Sequence, residues 1–205
     1  MVSLGCPKNQ VDAEMMLASL KQNGFEISTE EAEADAIIIN TCGFIEDAKK
    51  EAIENILEAA QYKKNGRCKA LIVTGCLAER YKDDVTEEIP EVDVCVGIGS
   101  NGKIADIVLS AIEGKRGNTY GDKYALDLNC DRILGGYPFS TYLKIGDGCD
   151  NCCTYCAIPK IRGRMRSRKI EDCVEEARKL AFRGVKELVV VAQDTTAYGE
   201  DIYGK

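Results

Sequence analysis

The sequence predicts an α/β protein: a doubly wound parallel sheet over residues 1–115, then the start of a second parallel unit over residues 139–205. Three observations carry this. Short continuous apolar runs alternate with amphipathic segments of helical period. The runs are too uniformly apolar for strands with one wet face, which is the pattern of parallel strands buried on both sides. Three of them also end in cysteine, at the place where ligands bind in open parallel sheets.

Taken in order, Val2-Ser3-Leu4 is a short apolar entry, and Gln10 to Leu20 carries apolar residues at helical spacing, stopped by Asn23-Gly24. Asp35 to Asn40 is a buried strand, and Ile45 to about Tyr62 is an amphipathic helix. Ala70 to Thr74 repeats the strand, a short helix follows near Ala78–Tyr81, then a strand over Val92–Val96 and a helix near Lys103–Glu113. Residues 116–138 hold Gly, Asn, Asp and Tyr without sustained period and read as a linker. Thr141 to Ile145 is strand-like, a cysteine-rich loop comes next, Ile170 to about Phe182 is an amphipathic helix, and Glu187 to Ala192 reads as a second buried strand. One βαβ unit cannot cover its own faces, so the second domain is expected to be incomplete.

The net charge of -7 excludes a nucleic-acid footprint spread over the whole surface. No apolar run approaches the roughly 18 residues of a membrane span, and the first residues lack the basic and apolar regions of a secretory signal. The expectation is a cytoplasmic protein with no membrane contact. In that compartment, eleven cysteines with no histidine point to metal or redox chemistry rather than disulfides.

Cys6, Cys42 and Cys76 each follow a predicted strand at once, so the topology can bring three residues distant in sequence to one sheet end. Helix N-termini there favour the thiolate that binds metal. Cys95 lies inside an apolar strand and reads as core, while Cys68, Cys130 and Cys173 have no evident role. The loop GCDNCCTYCAIP, Gly148 to Pro159, is denser: Cys149, Cys152, Cys153 and Cys156 fall within eight positions. Two CxxC pairs invite zinc, but structural zinc separates its pairs by a longer loop, and adjacent Cys152 and Cys153 point apart in an extended backbone. The other parsing is Cys149-x3-Cys153-x2-Cys156 as three ligands, leaving one iron of a cubane cluster open.

That spacing directly after a strand resembles the radical S-adenosylmethionine (SAM) enzymes. SLGCPKNQVDAE at Ser3–Glu14, NTCGFIEDAKKEAI at Asn40–Ile53, GCLAERY at Gly75–Tyr81, GCDNCCTYCAIPKIRGRMRSR at Gly148–Arg168 and QDTTAYGED at Gln193–Asp201 narrow it to the methylthiotransferases. The first and last of these motifs resemble the branch that modifies an aspartate of small-subunit ribosomal protein S12 rather than the tRNA-modifying branch.

The resemblance implies an N-terminal methylthiotransferase domain over residues 1–115, followed by the start of a radical SAM partial (β/α) barrel over residues 139–205. It implies two 4Fe-4S clusters, an auxiliary one on Cys6, Cys42 and Cys76 and a SAM-binding one on Cys149, Cys153 and Cys156, with Cys152 as the extra thiol. Tyr155 fits the position beside the SAM adenine, and Gln193 and Asp194 are candidates for contacts near the site. The implied chemistry is reductive cleavage of SAM, hydrogen abstraction from the aspartate β-carbon, and transfer of a methylated sulfur. The implied partners are ribosomal protein S12 and an electron donor such as flavodoxin or ferredoxin, acting on a monomer. Members of the family continue into further strands and a small RNA-binding TRAM domain, so this chain is expected to keep the auxiliary cluster and to turn over little by itself. Two other readings are a tRNA adenosine methylthiotransferase and, in a different class, a non-catalytic cysteine-rich module holding zinc or a single cluster. Finally, Lys160 to Lys169 is the densest basic run, read either as a contact for the SAM carboxylate or ribosomal RNA, or as a solvated loop.

Overall fold

Parallel pairing in chain order, β1-β2-β3-β4, organises the first part of the structure, a computed structural model that describes residues 1–204. The strands are β1 (Val2–Ser3), β2 (Ala36–Thr41), β3 (Ala70–Gly75) and β4 (Val94–Val96). The helices of this part are α1 (Pro7–Gln22), α2 (Glu46–Asn65), α3 (Cys76–Tyr81), α4 (Asp84–Glu88) and α5 (Ile104–Ile112).

The period of two along a strand sorts the apolar side chains into two layers. Ile37, Ile39, Leu71, Val73 and Cys95 pack with Ala52 and Ile56 of α2 and Leu77 of α3 on one face. Ile38, Ile72, Val94 and Val96 pack with Met16 and Leu20 of α1 and Ile104 and Val108 of α5 on the other. Both faces are therefore covered, which is why these strands read as unbroken apolar runs rather than as alternation. Cys95 is fully buried in the first layer, where burial pushes its thiol up to about 11.

The second part is smaller. β5 (Ser140–Lys144) pairs in parallel with the last strand, β8 (Glu187–Val191), while β6 (Gly146–Asp147) and β7 (Arg166–Ser167) form an antiparallel clasp. Between the clasp strands lie the cysteine loop and α6 (Ile158–Arg162); α7 (Ile170–Phe182) joins the clasp to β8, and α8 (Glu200–Tyr203) follows.

One sequence expectation needs correction here. β8 is not a buried strand: Val189 is 40% and Val190 50% exposed. Among the described residues its only strand partner is β5. Residues 116–138, read as a linker, make specific contacts with both parts. Arg132 is buried there, 3.4 Å from Glu14 of α1 and 3.0 Å from Glu176 of α7, and it donates to the Tyr142 carbonyl of β5 at 2.8 Å. The Ile133 amide donates to the Glu14 carbonyl at 3.1 Å. A polar segment without period thus acts as a wedge whose buried arginine is paired with carboxylates of α1 and α7, which hydrophobic patterning cannot reveal.

Candidate functional site

Register brings the first three cysteines together. Ser3 pairs with Asn40 and Asn40 with Thr74, so three strands reach the same level before each chain leaves the sheet. Cys6 then serves as the N-cap of α1 ahead of Pro7, Cys42 follows β2, and Cys76 opens α3. Close backbone approach is built in. A Cβ on Gly5, at φ +110°, would stand 2.9 Å from Cys42 Cβ and 3.4 Å from its Sγ; one on Gly75, at φ +94°, would meet the Thr41 carbonyl at 2.4 Å. Only glycine adopts such conformations without strain and leaves room for the neighbouring strand. Asn9 fastens the cluster of loops by donating to the carbonyls of Leu4 at 2.7 Å and Thr41 at 3.1 Å.

The three thiols differ in setting. Cys6 and Cys42 are half-buried, and Cys76 is buried. Burial pushes the Cys76 thiol up, opposed by the positive charge and hydrogen bond of Arg162, whose Nη2 lies 3.6 Å from Sγ. The expected easing of thiolate formation at the helix start is therefore outweighed, for Cys76, by desolvation. Among the described residues, no group of three or more Cys, Asp or Glu side chains is drawn to the spacing of a single metal ion. The three thiols follow three neighbouring strand ends, and one of them, Cys76, lies beside the buried guanidinium of Arg162.

In the second part the clasp closes the cysteine loop. Gly146 pairs with Ser167 and Asp147 with Arg166. The Cys149 amide donates to the Gly163 carbonyl and the Cys156 amide to the Cys153 carbonyl, each at 3.1 Å. Gly148, at φ +78°, has no room for a Cβ, which would stand 2.0 Å from the Arg164 carbonyl. Cys149 and Cys156 are half-buried and Cys153 is exposed; no disulfide forms among the eleven cysteines. Cys149 and Asp194 also line one cavity of about 280 Å³ with Asp150, Asn151 and Asp201.

Gln193 and Asp194 stand beside this loop. Gln193 Nε2 donates to Asp147 Oδ1 at 3.1 Å, and Asp194 accepts from Asn151 at 2.7 Å. Tyr155 is 85% exposed. Cys152 is exposed, its thiol directed to the Asp150 carbonyl at 3.8 Å. On the Cys149-x3-Cys153-x2-Cys156 parsing it is the extra thiol, so Cys152→Arg is expected to leave iron binding unchanged after anaerobic reconstitution; loss of about four irons would make Cys152 a ligand.

The basic run needs correction too. Arg162 and Arg168 are buried, so neither reading of a solvated loop nor of an open anion contact fits them. Arg168 pairs with Glu176 and donates to the Lys144 carbonyl at 2.9 Å. Arg162 lies 3.0 Å from Asp147 and 2.9 Å from Asp12, and Lys144 pairs with Asp12 and stands 3.3 Å from Asp147. Two carboxylates and two cations thus form a buried tetrad across α1, β5, β6 and α6. Burial works against the Asp147 charge, but Arg162 and Lys144 outweigh it and hold the carboxyl well below the usual carboxylate range. Sequence reasoning missed the tetrad, although two signals pointed to it. Lys144 interrupts an apolar strand, and Asp12 interrupts the apolar face of a helix.

Comparison with known proteins follows the same division. Residues 1–97 match the model described as "Uncharacterized protein family UPF0004", and residues 143–204 match that of the radical SAM superfamily. The chain is 53% identical over 207 residues to a protein of Desulforamulus reducens named ribosomal protein uS12 methylthiotransferase RimO, covering 100% of this chain and 47% of that protein. Proteins of the same name from Pelotomaculum thermopropionicum and Clostridium tetani are both 52% identical, each with 100% of this chain and 46% of the relative covered. The chain spans about half the length of the curated relatives it matches. With a parallel α/β part and a clasped cysteine loop, the chain is similar from one end to the other to about half of these radical SAM methylthiotransferases.

Proposed function

We propose that this chain supplies the two cysteine-ligated centres of an enzyme that adds a methylthio group to the β-carbon of an aspartate in ribosomal protein uS12. Cys6, Cys42 and Cys76 would hold the auxiliary 4Fe-4S cluster, and Cys149, Cys153 and Cys156 the one that binds SAM. When bound, SAM and the two clusters supply the one-electron chemistry and the methylated sulfur. The chain's own part is positional: the clasp holds the Cys149 loop, and the three strand ends hold the other thiols. Gln193, through Asp147, and Asp194, through Asn151, set the floor beside the loop, while exposed Tyr155 is free to cover the adenine of SAM. The single observation that carries this reading is the buried tetrad between the two cysteine groups. It joins Cys76 to the Cys149 loop within one set of contacts, as transfer of sulfur between two cofactors requires.

The setting that goes with this reading is the cytoplasm, with a small electron carrier such as flavodoxin or ferredoxin as reductant and a monomeric enzyme. Among the described residues, no helix is long and apolar enough to cross a membrane. The test is genetic and chemical. Deleting the gene that encodes this sequence is expected to remove the methylthio group from the uS12 aspartate, read by mass spectrometry of ribosomal digests. Its loss from tRNA adenosine with uS12 unchanged would replace this reading by the tRNA one, and a colourless zinc protein with both modifications intact would replace both.

A further inference from the structure

Arg162 is the largest of the fully buried side chains, at 1% exposure, and both terminal nitrogens of its guanidinium are hydrogen-bonded. Nη1 donates to both oxygens of Asp147, at 3.0 and 3.2 Å. Nη2 carries two hydrogens, and its two hydrogen-bond acceptors are Asn9 Oδ1 at 3.2 Å and Cys76 Sγ at 3.6 Å, with Asp12 paired alongside at 2.9 Å. Asn9 is the residue that ties the first and second strand ends, and Asp147 accepts from the Gly148 amide at 3.0 Å, one residue before Cys149. A single planar fork therefore touches one cysteine group directly and the other through one carboxylate. Such a geometry suits arginine alone, because lysine presents a point charge and not a rigid fan of donors.

The charge balance matters for what the hydrogen bond does. Asp12 and Asp147 already face Arg162 and Lys144, two anions against two cations, with the largely buried Arg166 further off, 3.7 Å from Asp147. The guanidinium is thus compensated, and what it offers Cys76 is a fixed, water-free N–H dipole. Hydrogen bonds to the sulfurs of an iron-sulfur centre stabilise its more reduced, more negative state and raise its potential.

We propose that Arg162 is a positioning residue that locks the Cys76 site to the Cys149 loop and, through its hydrogen bond to the Cys76 sulfur, raises the reduction potential of the centre held there. This rests on the reading of Cys76 as a cluster ligand, and the experiment separates the two. Reconstituted protein is titrated with reductant and followed by electron paramagnetic resonance, together with iron content and circular dichroism. The variants are Arg162→Lys and the charge-neutral pair Asp12→Asn with Arg162→Gln, which leaves Lys144 facing Asp147 if the first variant fails to fold.

In the neutral pair, the reduced-to-oxidised ratio of the Cys76 centre at a fixed potential is expected to fall at least tenfold, a shift of about 59 mV for a one-electron couple. The centre on the Cys149 loop should keep its potential, a split that general loosening of the fold would not produce. Selective loss of iron from the Cys76 centre with the fold intact would support the same assignment. Iron retained with the potential of that centre unmoved in both variants would overturn it. Should a Cys76→Ala protein retain every iron with an unchanged spectrum, the ligand reading fails first, and the role of Arg162 at that sulfur fails with it.

Discussion

Changing Cys6, Cys42 and Cys76 together to alanine is expected to halve the iron bound after anaerobic reconstitution, from about eight to about four per chain, with acid-labile sulfide falling in step. Half should survive because the other three thiols are held independently. The Cys149 loop is closed by its own clasp, by the Cys149–Gly163 and Cys156–Cys153 backbone bonds, and by glycine at position 148. The fold should survive as well. Cys6 and Cys42 are half-buried, and Cys76 shares its donor Arg162 with Asp12 and Asp147, so no buried charge is stranded when its sulfur goes. About eight irons in the variant would remove these three residues from the ligand set. About four irons in the unaltered protein, vanishing in the variant, would mean that only the strand-end centre assembles on this chain. Zinc with no absorbance near 400 nm would point to the non-catalytic module.

How much of this was legible in the sequence depends on the kind of signal. β2 and β3 announce themselves as Ala36–Thr41 and Ala70–Gly75 because strands covered on both faces need apolar residues at every position. The convergence of Cys6, Cys42 and Cys76 was readable for a related reason. In-register parallel strands end at one level, so residues just after each strand become neighbours whatever their separation in the chain. α6 and the β6–β7 clasp were not readable: two-residue strands have no period, and Ile158–Arg162 is one short turn around a proline.

The basic run misled for a different reason. A cluster of arginines reads as solvated because arginine is seldom fully buried. Arg162 and Arg168 are buried only because acidic partners arrive from far away, Asp12 from α1 and Glu176 from α7. Long-range complementarity of that kind leaves no local trace. Its only visible sign is that Lys144 and Asp12 each break an otherwise apolar pattern. The exposure of Val189 and Val190 misled in the opposite direction, since their sequence records a covered strand while the structure shows an open one.

Removing one member of the tetrad should be far more costly than removing a balanced pair. In Lys144→Met, Asp12 would keep Arg162 as its one close cation and share it with Asp147, which also has the largely buried Arg166 at the longer distance of 3.7 Å. Stranding a buried charge in this way costs about 3–5 kcal/mol, which for a chain of this size lowers Tm by roughly 6–20 °C. Adding Asp12→Asn to Lys144→Met restores the balance of one carboxylate against one guanidinium, and most of the loss should return. The pH dependence carries the sign. Asp147 is held below its ordinary value in the fold, so its contribution is full above the usual aspartate range and is lost as pH falls through that range toward the folded value. In Lys144→Met a carboxylate can take up a proton to relieve the imbalance, so the deficit relative to the unaltered protein should narrow on acidification. Thermal unfolding of the three proteins under reducing conditions, at neutral pH and near pH 4, measures both effects. A single variant as stable as the double one, or a deficit that widens in acid, would mean that the tetrad is bordered by water and that its charges, though enclosed, are not what holds the two parts of the chain together.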